Sequence, residues 1–325
     1  MTPQAGRLAI EEVADRSYDQ SVRHLRQSHS LRIGKELLER ITRTVGEYWI
    51  ANDHRNCDDY NHLRKGISPR VGRPRRCCVF ADGVMAHTDG AWHEVRVGTV
   101  RSDQADGSEH KFSIARMTDT ESFGQLLQYR ALEYGYGRAD LRAFIADGAQ
   151  WIWRLADKKF SKSIQILDFY HVCEHVEACS KEFFSQNPER CSAWSKHVLG
   201  LLRAGLVSEA ILEIRPLNPG RSDSKRKAKH ELLTYLHNNR KRMDYPRYEK
   251  LGLPIGSGEV EAQCKTLVQQ RCKQSGMRWS RRGIEAVLRI RCSVRGDRYR
   301  DEFFKENAGL LQWRHKKRLC KSRAA

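Results

Sequence analysis

Apolar residues recur every three or four positions across the first fifty residues, which is the period of an α-helix. One series runs through Tyr18, Val22 and Leu25, and a longer one spans residues 33–49 after a short polar turn. Two helices across a short turn resemble a helix-turn-helix, and a helical hairpin that only packs fits the pattern equally well. Residues 1–63 are therefore predicted to form an N-terminal helical region, either a helix-turn-helix that binds DNA or a helical hairpin that only packs.

From residue 77 the pattern changes to short apolar runs of strand length. Asp89-Gly90 and Asp106-Gly107 are typical hairpin turns between such runs. The predicted order is three strands, a helix, a strand, a helix and a strand. These elements cover residues 77–81, 92–100, 111–117, 121–134, 141–146, 151–160 and 164–167. This order is typical of an α/β fold with a ribonuclease H-like mixed sheet, and residues 77–171 would form the first part of that catalytic domain.

The following segment, residues 172–250, is polar with helical apolar stripes, and we interpret it as an all-helical insertion. A long helix is predicted to begin after Gly256, and residues 251–300 would complete the catalytic domain. The insertion contains two basic clusters that look alike in sequence. They consist of Lys225, Arg226, Lys227 and Lys229, and of Arg240, Lys241 and Arg242.

Charge points to the kind of partner. The chain carries 59 Lys and Arg against 40 Asp and Glu, a formal net charge of +19, while its hydrophobic fraction of 39% suffices for a packed core. A folded protein with this excess is expected to bind a polyanion, most economically nucleic acid. Residues 64–76 form a basic linker without acidic residues, and residues 301–325 form a basic C-terminal tail that includes Arg314, Lys316, Lys317 and Arg318.

Two further features bear on where the protein resides. No apolar stretch approaches the roughly 20 residues that span a bilayer, and the first residues lack the apolar core of a signal peptide. The ten cysteines contain no CxxC pair, and many lie inside apolar runs, which favours reduced core thiols. We therefore expect a soluble, intracellular protein without membrane association.

Three carboxylates are candidates for catalysis. Asp82 and Asp147 each follow an apolar run, in CCVFAD and LRAFIAD, although an Asp-Gly pair by default forms a turn. In PIGSGEVEAQCK, Glu261 lies closer than Glu259 to the apolar stripe of the predicted helix, although acidic residues in a first turn are also favoured by the helix dipole. Carboxylate oxygens bind magnesium, and two metal ions held by three carboxylates suit phosphoryl transfer.

A competing motif starts at Asp168. His171, Glu174 and His175 form H-x-x-E-H, in which two histidines could bind zinc and the glutamate could act as a base. The other interpretation is that His171 is hydrogen-bonded to Asp168 at a junction between a strand and a helix.

The strings DGAQWIWRLADKKF, ILDFYHVCEHV and GLPIGSGEVEAQCKTLVQQRCKQSGMRWS resemble the ISKra-type insertion-sequence transposases of the DDE superfamily. The resemblance covers about residues 77–295. It implies a ribonuclease H-like catalytic domain with a helical insertion, and it places the catalytic and metal-binding carboxylates on Asp82, Asp147 and Glu261. Two Mg²⁺ ions, with Mn²⁺ as a substitute, would be the cofactors. Asp168 and His171 match the supporting D-x-x-H signature of this branch, and Asp168 remains a rival for the second aspartate.

The expected function is therefore bacterial DNA transposition by cleavage and joining of DNA. The partners would be double-stranded DNA at the element ends and the target, with a homo-oligomer assembled on that DNA in the cytoplasm, associated with the nucleoid. The side chains expected to contact DNA are Lys265, Arg271, Lys273, Arg278, Arg281 and Arg282, with Trp279 either stacked on a base or packed in the core. Family members usually have a longer N-terminal region, so an inactive, truncated DNA-binding remnant is the alternative, followed by a zinc hydrolase.

Overall fold

The computed structural model describes residues 2–63 and 66–296, and its centre is a mixed five-stranded open sheet in an α/β fold. The strands are β1 (Arg76–Thr88), β2 (Ala91–Asp103), β3 (Glu109–Arg116), β4 (Leu141–Ala146) and β5 (Ile164–Leu167). Their order in the sheet is β3-β2-β1-β4-β5. β2 and β3 pair antiparallel, whereas β4 and β5 pair parallel.

The first hairpin forms where the sequence predicts it. Asp89 and Gly90 connect β1 to β2 with φ angles of 50° and 85°. Positive φ at both positions is the geometry of a type I′ turn, whose twist matches that of the flanking strands. The hairpin is longer than expected because β1 continues past Asp82 to Thr88, with Val84, Ala86 and Thr88 buried in alternation with exposed residues. The prediction that β1 ends at Asp82 is therefore wrong.

The helices divide between two compact units. The first unit comprises the described residues of Met1–Cys77, Asp82–Asp140 and Val260–Ala325, and the second comprises Cys78–Ala81 and Leu141–Glu259. The first unit contains α1 (Pro3–Asp15), α2 (Tyr18–His29), α3 (Lys35–Leu63), α4 (Thr120–Glu133) and α13 (Arg281–Val294). None of the helices in the described ranges combines the length and apolar character needed to cross a bilayer.

Within the first unit, α3 and α13 pack along each other. Gly46 lies at the crossing, where a Cβ atom would be only 2.5 Å from Cα of Ala286. α3 is 29 residues long and also contacts α1, α2 and α4. The predicted pair of helices around the turn at Ser30 is thus present, but the second helix buries Leu38, Val45 and Trp49 and is much longer than the apolar series predicted.

A buried carboxylate lies at the centre of these helices. Asp53 of α3 is 2% exposed and accepts hydrogen bonds from Arg130 at 2.6 Å and from Arg289 at 2.6 and 2.9 Å. Arg116 approaches it at 3.9 Å. Burial alone would raise the pKa of Asp53, but the guanidinium groups of Arg289, Arg130 and Arg116 together lower it. The carboxylate therefore connects helices α3, α4 and α13 with strand β3.

The second unit contains the remaining helices that precede the glutamate motif. They are α5 (Gln150–Lys159), α6 (Phe169–Phe184), α7 (Pro188–Arg203), α8 (Val207–Ile214), α9 (Asp223–Asn239), a 3₁₀ turn (Arg240–Arg242) and α10 (Tyr245–Lys250). Residues 172–250 contain only helices, turns and loops, as expected of the insertion. β4 and β5 begin and end at the predicted residues.

The helix predicted after Gly256 consists of three parts. α11 (Gly258–Gln263) continues into a π-helical segment (Cys264–Gln269) and then α12 (Gln270–Cys272). In the π segment the amide of Gln270 bonds to the carbonyl of Lys265, five residues earlier. The helix therefore ends at Cys272, and α13 is a separate helix.

Residues 66–75 of the predicted linker contain no helix or strand, and they pack on the first unit. Arg70 pairs with Glu133 at 3.2 Å, and Arg73 donates to Asp140 at 2.9 Å. Val71 and Pro74 are buried. Arg76, the last residue of the predicted linker, pairs with Asp103 at 3.1 Å, so three of the linker arginines already have acidic partners within the protein. Arg64, Lys65 and the tail residues Arg314, Lys316, Lys317 and Arg318 lie outside the described residues.

Candidate active site

Asp82 lies in the middle of β1, where the part of the strand that leads into the hairpin with β2 begins. Its side chain is partly exposed. Its Oδ1 accepts a hydrogen bond from the amide of Gly83 at 2.6 Å. Its Oδ2 accepts one from the thiol of Cys264 at 3.3 Å. Because Cys264 belongs to the helical segment that follows Glu261, this contact fixes the glutamate helix beside β1.

Glu261 lies on α11, three residues before Cys264, with about half of its side chain exposed. Its Oε1 accepts a hydrogen bond from Nζ of Lys265 at 2.6 Å. Val260 on the same helix is buried, so the apolar stripe faces the protein, whereas Glu261 is exposed and Glu259 is half-buried. Asp82 and Glu261, distant in sequence, thus lie on adjoining elements of the first unit.

Asp147 directly follows β4 in the second unit and leads into α5. Its Oδ1 accepts a hydrogen bond from the amide of Ala149 at 3.0 Å, which stabilises the turn. Gly148 has a φ angle of 110°, and a Cβ atom there would lie 2.8 Å from the ring of Tyr235. The hydroxyl of Tyr235 donates to the backbone carbonyl of Asp147 at 2.8 Å. The Asp147-Gly148 pair therefore forms a turn and also places a carboxylate at the end of β4.

Asp168 follows β5 and caps the N-terminus of α6. Its Oδ1 accepts a hydrogen bond from the amide of Tyr170 at 2.7 Å. Its Oδ2 accepts hydrogen bonds from the amide of Ser257 at 3.0 Å, from the hydroxyl of Ser257, and from Nδ1 of His171 at 3.3 Å. Burial opposes ionisation, but these hydrogen bonds from His171, Ser257 and Tyr170 lower the pKa of Asp168. Asp168 therefore ties the Gly256-Ser257 loop to α6 through protein donors.

The two histidines of the H-x-x-E-H motif have different surroundings. The hydrogen bond to Asp168 raises the pKa of His171 to about 9, so its imidazole is protonated at neutral pH. Burial lowers the pKa of His175, whose ring stacks on Tyr235 with centroids 3.9 Å apart. Glu174 lies 4.0 Å from Nε2 of His171 and is 75% exposed. Helix capping and ring packing account for this motif without a shared ligand.

Two of the predicted DNA contacts lie in the protein interior, which corrects those assignments. Arg271 is fully buried and donates from Nε to the carbonyl of Val13 at 3.0 Å, at the C-terminal end of α1. Its guanidinium also lies over the ring of Trp279, 5.0 Å from the centroid. Trp279 is 9% exposed, and its indole donates to the carbonyl of Cys272 at 3.1 Å. Neither side chain presents its polar group to a phosphate or its ring to a base.

The other basic residues of the predicted set lie at the surface of the first unit. Lys273 lies 5.9 Å from the centroid of the exposed Trp92 ring, and Arg278 is exposed. Arg281 donates to the carbonyl of Met117 at 2.9 Å and thereby holds the start of α13. Arg282 is 85% exposed and lies 3.9 Å from Glu47. Lys265, which pairs with Glu261, completes this exposed set.

Sequence reasoning missed the residues that hold the carboxylates. In the sequence, Cys264 lies in the apolar stripe of the predicted helix, which indicates core packing, and nothing assigns Tyr235 or Ser257 to a site. The serine between two glycines was the one available signal, because a polar residue there can bind a buried partner. Searches for similar proteins returned no matching family model and no matching curated protein.

Proposed function

We propose that this protein is a DNA transposase of a bacterial insertion sequence, with a ribonuclease H-like catalytic domain that cleaves and joins DNA by metal-dependent phosphoryl transfer. One observation carries the proposal: Cys264 links the helix of Glu261 to Asp82. Two carboxylates that sequence motifs alone select as ligands thus lie on adjoining elements. The order of the mixed sheet and the all-helical insertion before the glutamate helix add to this support.

The donor set fits the proposed metal. Asp82, Asp147 and Glu261 offer only carboxylate oxygens, the hard ligands that Mg²⁺ and Mn²⁺ accept. Bound there, two such ions would activate the attacking oxygen and stabilise the leaving oxygen of an in-line displacement. The protein itself has to position the phosphodiester and balance its charge, because phosphoryl transfer depends mainly on these two effects.

Asp147 suits the role of second ligand better than Asp168. Asp168 accepts hydrogen bonds from four donors of the protein and is almost fully buried. Asp147 is partly exposed and its carboxylate accepts one hydrogen bond, from the following turn. Asp168 and His171 therefore act as positioning residues, since they hold the loop that leads to α11.

The exposed cations Lys273, Arg278 and Arg282 suit contacts to DNA phosphates near the glutamate helix. Lys265 would help to balance charge beside Glu261. This function requires double-stranded DNA of the element ends and the target as partner, and a homo-oligomer that assembles on that DNA. It would take place at the nucleoid.

The decisive experiment is a plasmid cleavage and strand-transfer assay in Mg²⁺ or Mn²⁺. Asp147→Asn should abolish cleavage and leave DNA binding nearly unchanged, because the substitution removes a ligand charge with little change in shape. Glu174→Gln is the matched control, since Glu174 is exposed and needed only by a zinc hydrolase. Cleavage by Asp147→Asn at the wild-type rate would contradict the proposal, and a wild-type protein that binds DNA without cutting it would identify the inactive remnant.

A further inference from the structure

An open cleft lies in the second unit beside β5, the edge strand of the sheet. Its volume is about 650 Å³. The side chains around it are mostly cations and neutral hydrogen-bonding groups, and the residues that matter below are Asp157, Gln165, Arg240, Lys241, Arg242 and Arg247. The 3₁₀ turn after α9 and the start of α10 supply the four cations.

The charge of this cleft is only partly neutralised from within the protein, by Asp157 acting on Arg242. Among the described residues, no carboxylate lies within ion-pair distance of Arg240, Lys241 or Arg247, and all three are exposed. Asp157, the one acidic residue in the lining, accepts a hydrogen bond from the amide of Gln165 at 2.7 Å. The cleft therefore presents several positive charges that an external anion can pair with.

The other basic cluster of the insertion differs in this respect. Arg226 pairs with Asp223, and Lys227 lies 3.8 Å from Glu231. Lys229 donates to two backbone carbonyls at the end of α8, those of Arg215 and Leu217. The two clusters look alike in sequence, but Arg226 and Lys227 have acidic partners on the same helix, whereas Arg240 and Lys241 face the cleft without one.

Arg242 gives the cleft a fixed guanidinium group. Its guanidinium carbon lies 4.3 Å from the centroid of the Trp153 ring, and its Nε donates to Oε1 of Gln165 at 2.7 Å. Trp153 is buried, so it supports Arg242 from the protein side. A guanidinium held in this way loses little conformational entropy when it binds a phosphate.

We propose that this cleft binds the phosphodiester backbone of DNA and thus gives the helical insertion its own DNA contact. The inference rests on the proposed function, and it adds one surface of the second unit that the DNA would contact. The volume lies in the range that accommodates drug-sized molecules, well above that of one phosphate ion. Cations from two successive elements match a repeating backbone charge, and Gln165 and Asn238 add neutral donors at its side.

A pair of double variants tests the cleft. Arg240→Ala with Lys241→Ala removes two unpaired cations, and Arg226→Ala with Lys227→Ala removes two internally paired ones from the same unit. Binding of each full-length variant to a 30-base-pair duplex is measured by fluorescence anisotropy over a series of salt concentrations, with EDTA present. Loss of two phosphate contacts should lower the salt slope by roughly 1.8 and the affinity at 0.1 M salt roughly tenfold to sixtyfold. The control pair should stay within about twofold of wild type.

The outcomes separate the cleft from the proposed function. Equal losses of DNA affinity in both double variants, or no loss in the first, would overturn the cleft as a DNA contact. This conclusion would hold even if the wild type cleaves DNA and Asp147→Asn does not, so the proposed function would stand without the cleft. Arg247→Ala provides a second variant, with an expected slope change of roughly 0.9. Far-ultraviolet circular dichroism verifies that each variant is folded. The last measurement is titration calorimetry with inorganic phosphate alone. If phosphate binds saturably, and if the double variant Arg240→Ala with Lys241→Ala loses this binding but still binds the duplex, the cleft is a site for free phosphate instead.

Discussion

Cys264 donates its thiol hydrogen to Oδ2 of Asp82 over 3.3 Å and thereby connects the glutamate helix to β1. Cys264 is almost fully buried, whereas Asp82 is partly exposed, so the contact lies at the margin of the interior. The same carboxylate receives the amide of Gly83 on its other oxygen. Two donors thus orient a side chain whose proposed role depends on its direction.

Cys264→Ala should reduce metal-dependent DNA cleavage roughly tenfold in kcat, because a hydrogen bond to a charged group contributes about 1.5 to 3 kcal/mol and 1.4 kcal/mol corresponds to a tenfold change in rate. Cys264→Ser keeps a donor at the same position and should remain within about threefold of wild type. Single-turnover cleavage of a labelled duplex measures both. Equal rates for Cys264→Ala and wild type would show that Asp82 needs no support from the thiol.

Asp53→Asn should destabilise the protein by about 3 to 5 kcal/mol, because it removes the counter-charge of the buried Arg289 and one of the two carboxylates that pair with Arg130. Asp58→Asn on the same helix is the control, since Asp58 is exposed and should cost less than about 0.5 kcal/mol. Urea unfolding at pH 7 measures both changes.

The effect of Asp53 should also depend on pH in a defined direction. Its pKa is lowered in the folded protein, so its contribution is present above the unfolded pKa and is lost as the pH falls through the folded pKa. The stability difference between wild type and Asp53→Asn should therefore shrink below about pH 4. A difference that stays constant down to pH 2 would contradict the assigned ion pairs.

Asp168→Asn should lower the pKa of His171 from about 9 toward the ordinary value of about 6.5, because the hydrogen bond to the carboxylate is the largest cause of the shift. In the wild type, this interaction stabilises the fold fully below about pH 6.5, and its contribution is lost as the pH rises through about 9. Imidazole proton shifts in an NMR titration report the pKa directly.

Gly46→Ala should destabilise the protein by about 1 to 3 kcal/mol, because a Cβ atom there would overlap with Ala286 and push α3 and α13 apart. Gly200→Ala on α7 should instead stabilise it by up to about 1 kcal/mol, because no atom lies within 4 Å of the new Cβ and alanine favours a helix. Thermal unfolding of the two variants gives opposite shifts in Tm if the helix crossing is correct. Shifts of the same sign would be evidence against it.

Local sequence patterns predicted which strands form the sheet better than they predicted where each strand begins and ends. β4 and β5 are short apolar runs that end directly before Asp147 and Asp168, so the sequence indicated where each strand ends. It did not indicate the continuation of β1 past Asp82, because a half-buried strand with Gly83 in it looks like a turn. The length of β1 depends on its pairing with β2. A local pattern does not show this pairing, because β2 is another part of the chain.

Charge in the sequence likewise did not reveal which cations are available to a ligand. Arg271 belongs to a strongly basic segment, yet it is buried against the carbonyl of Val13. Arg226 and Arg240 occupy clusters of similar composition, and only tertiary structure distinguishes the paired one from the one that faces the cleft. Cys264 gave no signal as a partner of Asp82, since a thiol in an apolar stripe is ordinary core packing.

The π-helical segment between Glu261 and Arg271 accommodates one residue more in its turn than an α-helix does. Removing one residue from Cys264–Gln269 would therefore restore regular α-helix and leave Glu261 on nearly the same side of the helix relative to the anchored Arg271. Alignments of related helices that ignore this extra residue would equate Glu261 with a neighbour on another face. Engineered fusions or shortened versions of this helix have to preserve the phase on both sides of the segment, even where every side chain is retained.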